Sequence, residues 1–157
     1  MRFSPLLAAA ALFLALTGCA QAVAIEPAAD AKNAQCADVV VRLPDTVPGR
    51  SGDLERRETN AQGTGAWGTP SVALLSCGVA VPDPTSTLIC VSADGVDWLL
   101  DESKAPSILY TTYGRDPAVQ VIVNQDEAAP GAVLFELASA VKYTEKVSEC
   151  TEVADSL

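Results

Sequence analysis

Histidine does not occur anywhere in the 157 residues of this chain. Its absence removes imidazole as a general base, as a metal ligand and as a sensor of pH near neutrality, and it excludes a Ser-His-Asp triad. Basic residues are also scarce: 10 Lys and Arg stand against 20 Asp and Glu, a formal charge of −10. This balance argues against nucleic-acid binding, which depends on Lys and Arg neutralising phosphates, and against electrostatic docking on anionic lipid.

A hydrophobic run long enough to span a membrane is also missing. The longest one, from Leu6 to Leu16, has eleven residues, and a helix of that length crosses only about half of a ~30 Å hydrocarbon core. Arg2 supplies a short positive segment in front of it. The pattern is typical of an export signal, so we predict a signal peptide over residues 1–18.

The residues after this run are Leu16-Thr17-Gly18-Cys19. This tetrad resembles the lipobox of bacterial lipoproteins, which implies that the Cys19 thiol carries a diacylglyceryl group and that Cys19 becomes the first mature residue. Ordinary signal cleavage after small residues, giving a secreted protein, is the alternative. Two acyl chains anchor a protein stably without a basic patch, which suits a mature chain with a charge of −11 once Arg2 is removed.

Residues 19–35 are predicted to form a lipidated N-terminus followed by a flexible tether. The segment from Ala20 to Gln35 is rich in Ala, carries isolated charges and lacks a sustained apolar face. Fully extended, sixteen residues reach at most about 55 Å. The domain could therefore stand away from the membrane.

The four cysteines after Cys19 indicate disulfides, because an even number in an exported chain is typical of them. They are Cys36, Cys77, Cys90 and Cys150. Three pairings are open, and we favour Cys77–Cys90 across a Pro-containing loop, with Cys36–Cys150 joining the ends of the domain. A zinc site is disfavoured, since there is neither a C-x-x-C pair nor histidine.

Hydrophobic periodicity predicts one α+β domain over residues 36–157, and an apolar share of 49% is too high for a disordered chain. Cys36 to Leu43 reads as a short helix stopped by Pro44, and residues 45–65 read as a polar, solvated stretch. Four or five short strands follow, with Asp94-Gly95 as a hairpin turn. A helix bearing Val133, Leu137 and Val141 is predicted to continue to Cys150. We expect a small antiparallel sheet packed with the N-terminal and C-terminal helices.

Four motifs occur in a fixed order along this domain. They are Trp67-Gly68-Thr69-Pro70, Leu75-Ser76-Cys77-Gly78-Val79, Gly95-Val96-Asp97-Trp98 and Thr112-Tyr113-Gly114-Arg115-Asp116-Pro117-Ala118-Val119. Together with the lipobox they resemble an actinobacterial envelope-lipoprotein family classed as domain of unknown function 3515. The resemblance implies no activity, ligand or cofactor, and it leaves open what the domain does.

Two sets of residues invite a catalytic or metal-binding interpretation. Ser139 and Lys142 match the Ser-x-x-Lys of penicillin-binding enzymes, but the other motifs of those enzymes are missing and Lys142 shares its predicted helix face with acidic residues. A second set of carboxylates suggests Ca²⁺ or a paired-carboxylate glycosidase: Asp94, Asp97, Asp101 and Glu102. Their spacing does not match an EF-hand, and solvated turn carboxylates are the better interpretation.

Trp67 and Arg115 are the candidate binding residues. Trp67 lies among turn residues, so we expect it to be the more exposed tryptophan, whereas Trp98 shares a strand face with Val96 and Leu100 and is predicted to be buried. Arg115 suits an anion or partner contact, but an ion pair with Asp116 or another acidic group is the favoured interpretation.

We expect a lipid-anchored, disulfide-bonded, non-catalytic binding or assembly module on the outer face of the cytoplasmic membrane. The membrane is contacted through Cys19, and the partner is an envelope protein or the cell wall. No cofactor and no nucleic acid are predicted. A small-molecule- or metal-binding lipoprotein, and an enzyme acting on wall polymer, are the alternatives.

Overall fold

A computed structural model describes residues 21–83 and 87–151. The predicted signal peptide and Cys19 lie outside the described residues. The elements follow in chain order: α1 Ala34–Val40, β1 Thr46–Gly49, β2 Gly52–Arg57, β3 Thr64–Trp67, β4 Ala73–Val79, β5 Ile89–Ala93, β6 Val96–Asp101, β7 Ser107–Thr112, β8 Arg115–Asp116, β9 Ala118–Asn124, α2 Pro130–Val141 and β10 Glu145–Lys146.

The described strands form one 8-stranded sheet in the order β1-β2-β3-β4-β9-β7-β6-β5, and β8 pairs with β10 in a second sheet of two strands. Every strand pair is antiparallel. The α+β fold expected from the sequence is confirmed, although the sheet has more strands than the periodicity predicted. Neither helix of the described chain is long and apolar enough to span a bilayer.

Period-two alternation in the central strands assigns one face of the sheet to the core. Leu75, Val121 and Tyr110 lie side by side on β4, β9 and β7, and all three are buried. Both helices cover this inner face: α2 contacts β1, β5, β9 and α1, and it buries Leu134 and Leu137. The opposite, outer face carries the half-buried row Leu74, Ile122 and Leu109.

The Asp94-Gly95 hairpin is confirmed. β5 and β6 pair up to Ala93 and Val96, which leaves Asp94 and Gly95 as a two-residue loop. Their φ angles are 44° and 72°, the left-handed values that this tight turn requires at both positions.

The predicted disulfide pairing is wrong: Cys36 bonds to Cys77 and Cys90 bonds to Cys150. Cys77 lies on β4 and Cys90 on β5, and three strands separate them. Four strand spacings amount to about 19 Å, far beyond the roughly 7 Å that a disulfide allows between Cα atoms. β4 and β5 are therefore not neighbours in the sheet, and the segment between them does not join a hairpin.

Residues 45–65, predicted as a polar, solvated stretch, contain β1, β2 and the start of β3. The prediction failed because β2 has one face toward the core and one toward solvent, and its charged residues occupy both. Arg56 points to the inner face, but its guanidinium donates to the main-chain carbonyls of Leu43 and Val40 at 3.2 and 3.1 Å. Arg56 thus stands at an inward-facing strand position where an apolar residue is expected, so the period-two pattern of a strand is missing from the sequence.

The C-terminal helix is shorter than predicted and ends at Val141. Beyond it the chain turns back, and the amides of Val147 and Ser148 both donate to the carbonyl of Gly114. The disulfide from Cys150 to β5 then holds the segment on the outer face. These long-range bonds replace the helical ones that the sequence pattern favoured.

The described part of the predicted tether, residues 21–35, is docked on the domain. The amide of Val23 donates to the carbonyl of Glu58 at 2.8 Å, and the amide of Asn60 donates back to the carbonyl of Val23 at 3.2 Å. α1 begins within this segment, at Ala34, with Asn33 as its N-cap. Main-chain hydrogen bonds, which composition does not reveal, hold the segment in place.

Candidate functional site

Trp67 is not the exposed aromatic that the turn residues around it suggested. It is fully buried on β3, and its Nε1 donates to the carbonyl of Pro44 at 3.0 Å. Trp98 is fully buried as expected. Trp67 therefore anchors the chain before β1 to the sheet and presents no ring to a ligand.

Arg115 is buried and binds main-chain carbonyls of the segment that follows α2. Its Nη1 donates to the carbonyl of Thr144 at 2.8 Å and, more weakly, to that of Lys142 at 3.4 Å. Burial lowers the pKa of this guanidinium, and the charge of Asp97 opposes that effect. A positive charge at the last carbonyls of α2 is stabilising. The ion pair with Asp116 that the sequence favoured is not what holds Arg115.

Three of the four acidic residues singled out by the sequence have a structural partner. Asp94 pairs with Lys142 at 2.6 Å, and Asp97 accepts from the amide of Cys150 at 3.0 Å. Asp101 accepts from the amide of Ser103, and hydrogen bonds from the Ser103 side chain and amide lower the pKa of Asp101. These contacts agree with the interpretation of Asp94, Asp97 and Asp101 as carboxylates that stabilise turns and chain segments.

One group of three potential metal donors occurs within the described residues: Cys90, Asp97 and Cys150. Its two sulfurs are bonded to each other, so they offer no thiolate. Asp97 is engaged with the Cys150 amide. The cluster is therefore a disulfide with a neighbouring carboxylate.

The Ser-x-x-Lys pair lies at the C-terminal end of α2. Ser139 is exposed, and the Nζ of Lys142 is bound to Asp94. The Lys142 ammonium is therefore engaged with a carboxylate of the β5–β6 turn.

The docked N-terminal segment forms a feature that the sequence reasoning missed. Arg57 lies on β2 opposite Ala66 of β3, which in turn lies opposite Leu74 of β4, so its side chain is on the outer face. Its Nη2 donates to the carbonyl of Gln21 at 2.9 Å and its Nη1 to that of Gly68 at 3.3 Å. One guanidinium thus joins the start of the described chain to the turn after β3.

The rest of the segment is held along the loop that follows β2. The amide of Ile25 donates to Oδ1 of Asn60 at 2.7 Å, and the amide of Asp30 donates to the carbonyl of Gly78 at 3.0 Å. Gly78 has a φ of 87°, and a Cβ there would overlap the carbonyl group of Asp30. Only glycine allows this close approach, which explains one glycine of the second motif.

A polar groove of about 400 Å³ lies beside this loop. Its volume falls in the range of small-molecule sites, roughly 300–1,000 Å³. Arg56 and Arg57 line it, but their guanidinium groups are already bonded to main-chain carbonyls. Both Nη atoms of each guanidinium thus donate to the main chain of the fold.

Residues 5–150 match the family described as Protein of unknown function (DUF3515). The chain belongs to DUF3515. This confirms the family resemblance that the four motifs and the lipobox predicted. No curated protein and no solved structure shows a significant match to the chain.

Residues of all four motifs in this DUF3515 chain have structural roles in the described domain. Trp67 and Trp98 fill the core, and Cys77 bonds to α1. Gly114 and Arg115 receive and fasten the segment after α2. The motifs mark the points that hold the fold together.

Proposed function

We propose that this DUF3515 chain is a lipid-anchored protein of the cell envelope. Its domain is held on the outer face of the cytoplasmic membrane by a diacylglyceryl group on Cys19, and it acts there as a non-catalytic binding or assembly module. The observation that carries the proposal is the pair of disulfides, Cys36–Cys77 and Cys90–Cys150.

The disulfides support a location outside the cytosol. Such bonds form and persist in oxidising compartments and are rare where thioredoxin and glutathione keep thiols reduced. Both bonds join elements distant in sequence, with separations of 41 and 60 residues. They are thus integral to the fold of a small domain.

The lipobox supports the mode of attachment. Cys19 follows the apolar run Leu6–Leu16 directly after the small residues Thr17 and Gly18. Two acyl chains bind a bilayer stably at about 0.8 kcal/mol per buried CH₂, without help from charge. Such an anchor suits a chain with a formal charge of −10, which has no electrostatic attraction to an anionic bilayer.

The non-catalytic role is supported by what the reactive side chains do in the domain. Arg115, Lys142 and Asp97 are each engaged in a contact that holds the C-terminal segment or the β5–β6 hairpin. Side chains committed to the fold are unsuited to proton transfer or nucleophilic attack. Purified domain that hydrolysed wall polymer, with activity lost in Lys142→Gln, would overturn this part of the proposal.

Fractionation of cells tests the anchor. We expect Cys19→Ala to move the protein from washed membranes to the medium, because the thioether cannot form. Thr17→Ala is the matched control: it keeps a small residue before the cleavage point and should stay in the membrane fraction. Retention of Cys19→Ala on membranes after a high-salt wash, with the signal segment shown by mass to be cleaved off, would contradict the proposal.

A further inference from the structure

The first described residue is bound directly to the sheet, and this limits how far the domain can stand from its anchor. Gln21 is held by Arg57, and two residues of chain span at most about 7 Å between Cα atoms. The covalent chain therefore limits the Cα of Cys19 to about this distance from that of Gln21, which is bound to β2. On the proposed lipidation of Cys19, on which this inference rests, the acyl chains begin there.

We propose that the β2–β3 end of the domain lies against the bilayer and that the β5 edge points away from it. The membrane-facing end consists of residues 21–24 and the turn 68–71, which the Arg57 guanidinium brings together. The occupant of this surface is the lipid headgroup layer.

The two segments beside Gln21 are uncharged, although Asp53, Glu55 and Glu58 on and just after β2 are exposed carboxylates. Residues 21–25 and 68–71 contain no charged side chain, in a chain whose formal charge is −10. Gln21, Ala22, Thr69 and Pro70 are exposed. Uncharged residues approach lipid headgroups without the repulsion that carboxylates meet at an anionic surface.

The opposite part of the sheet is acidic. Residues 87–151 hold ten acidic and four basic side chains, against eight and five in residues 21–83. Glu102 and Glu145 are exposed carboxylates of this part, whereas the exposed Asp94 and Glu149 are paired with Lys142 and Lys146. An anionic leaflet repels these groups within about 8–10 Å, so the acidic edge is held away from the surface.

The width of the sheet sets how far the β5 edge lies from the proposed membrane surface. β3 and β5 are five strand spacings apart, about 24 Å at ~4.8 Å per spacing. A partner in the periplasmic or wall space would meet the β5–β6 hairpin first. The surface next to the lipid is available only to partners that are themselves at the membrane.

Spin labels at the two ends of the sheet test the orientation. Two variants of the acylated full chain are prepared with the native disulfides intact, Thr69→Cys and Ser92→Cys. Each carries a nitroxide on the new cysteine, and both positions are exposed. Vesicles of phosphatidylglycerol and phosphatidylcholine carry nickel chelated at the lipid headgroup. We expect several-fold stronger relaxation by nickel at position 69 than at position 92. Equal relaxation at both positions would overturn the proposal, and an Ala22→Cys label gives a second reading of the near end.

A spacer variant tests the cause of the orientation. Insertion of about ten Gly and Ser residues between Ala20 and Gln21 adds a root-mean-square span of roughly 18 Å and should largely abolish the difference between the labels. A difference that persists would show that the short connection is not its cause. The intact mass of each preparation shows first whether Cys19 is lipidated, so failure of the anchor is distinguished from failure of the orientation.

Discussion

The guanidinium of Arg57 donates to the main-chain carbonyl of Gln21 at 2.9 Å, on the face of the sheet opposite the core. The contact ties Gln21 to β2 of the sheet. Since Cys19 is only two residues earlier, a chain with this contact has almost no free linker between the proposed anchor and the domain. A segment that composition marks as a tether is thus part of the folded unit.

Replacing Arg57 with methionine should release the N-terminal segment. We expect the amide of Val23 to exchange with solvent faster than in the wild type, because charge-assisted bonds of this kind contribute about 1.5–3 kcal/mol. Arg50→Met is the matched control, since Arg50 also donates to a main-chain carbonyl, that of Gln125, away from this segment. Arg50→Met should leave the exchange rate of the Val23 amide at the wild-type value. The same wild-type rate in Arg57→Met would contradict the docking of this segment by Arg57.

Peptide mapping under non-reducing conditions checks the disulfides. The structure predicts one peptide pair joined through Cys36 and Cys77 and another through Cys90 and Cys150. Loop entropy gives about 4 kcal/mol of stabilisation for each bond, with smaller measured values common. Replacing either pair with alanines should lower the free energy of unfolding by up to that amount in urea. A Cys77–Cys90 peptide would contradict the fold.

Two glycines with similar φ angles distinguish the cost of a left-handed backbone from the cost of a steric clash. Gly114 and Gly95 have φ angles of 68° and 72°. A Cβ at Gly114 would overlap the main chain of Ser148, whereas nothing lies within 4 Å of a Cβ at Gly95. We expect Gly95→Ala to cost about 1–2 kcal/mol and Gly114→Ala clearly more. Equal losses in urea unfolding would show that Ser148 does not lie over Gly114.

Tyr110 should make stability depend on alkaline pH. Burial, with a smaller contribution from Glu102, raises the pKa of Tyr110 from 10.0 to about 12. Between these values the unfolded chain loses the phenol proton while the folded domain keeps it, so stability falls as pH rises through this window. Urea unfolding from pH 9 to 11.5 should show this fall, and Tyr110→Phe should reduce it. Tyr143, which is exposed, is the control: a slope removed by Tyr143→Phe and kept by Tyr110→Phe would contradict the assignment.

Local patterns predicted the central elements of the domain correctly. The Asp94-Gly95 turn, the alternation in β9 and the stripe of Val133, Leu137 and Val141 on α2 each reflect interactions between neighbours in sequence. Burial of Trp98 followed from the same alternation. These features depend on period and turn chemistry, which a single sequence displays.

Features that depend on long-range contacts could not be read from the sequence. The disulfide pairing depends on strand order, because β9, β7 and β6 lie between β4 and β5. The end of α2 depends on Gly114 accepting the amides of Val147 and Ser148. Trp67 looked exposed because its neighbours are turn residues, yet the Pro44 carbonyl satisfies its indole inside the core.

The candidate site was only partly foreseen. Cys19 was identified from its position after the apolar run, and it remains a prediction that lies outside the described residues. Arg115 was singled out correctly as an unusual polar residue, but its bond to the Thr144 carbonyl gives it a structural role. Arg57 was overlooked, since nothing local distinguishes it from its charged neighbours in the sequence.

Mass spectrometry of the mature N-terminal peptide, taken from native membranes, tests the central claim most directly. The account predicts a peptide that begins at Cys19, continues with Ala20 and Gln21, and carries a diacylglyceryl group on the Cys19 sulfur. A peptide that begins at or before Cys19 with an unmodified thiol would contradict lipid anchoring, and with it the orientation of the domain on the membrane.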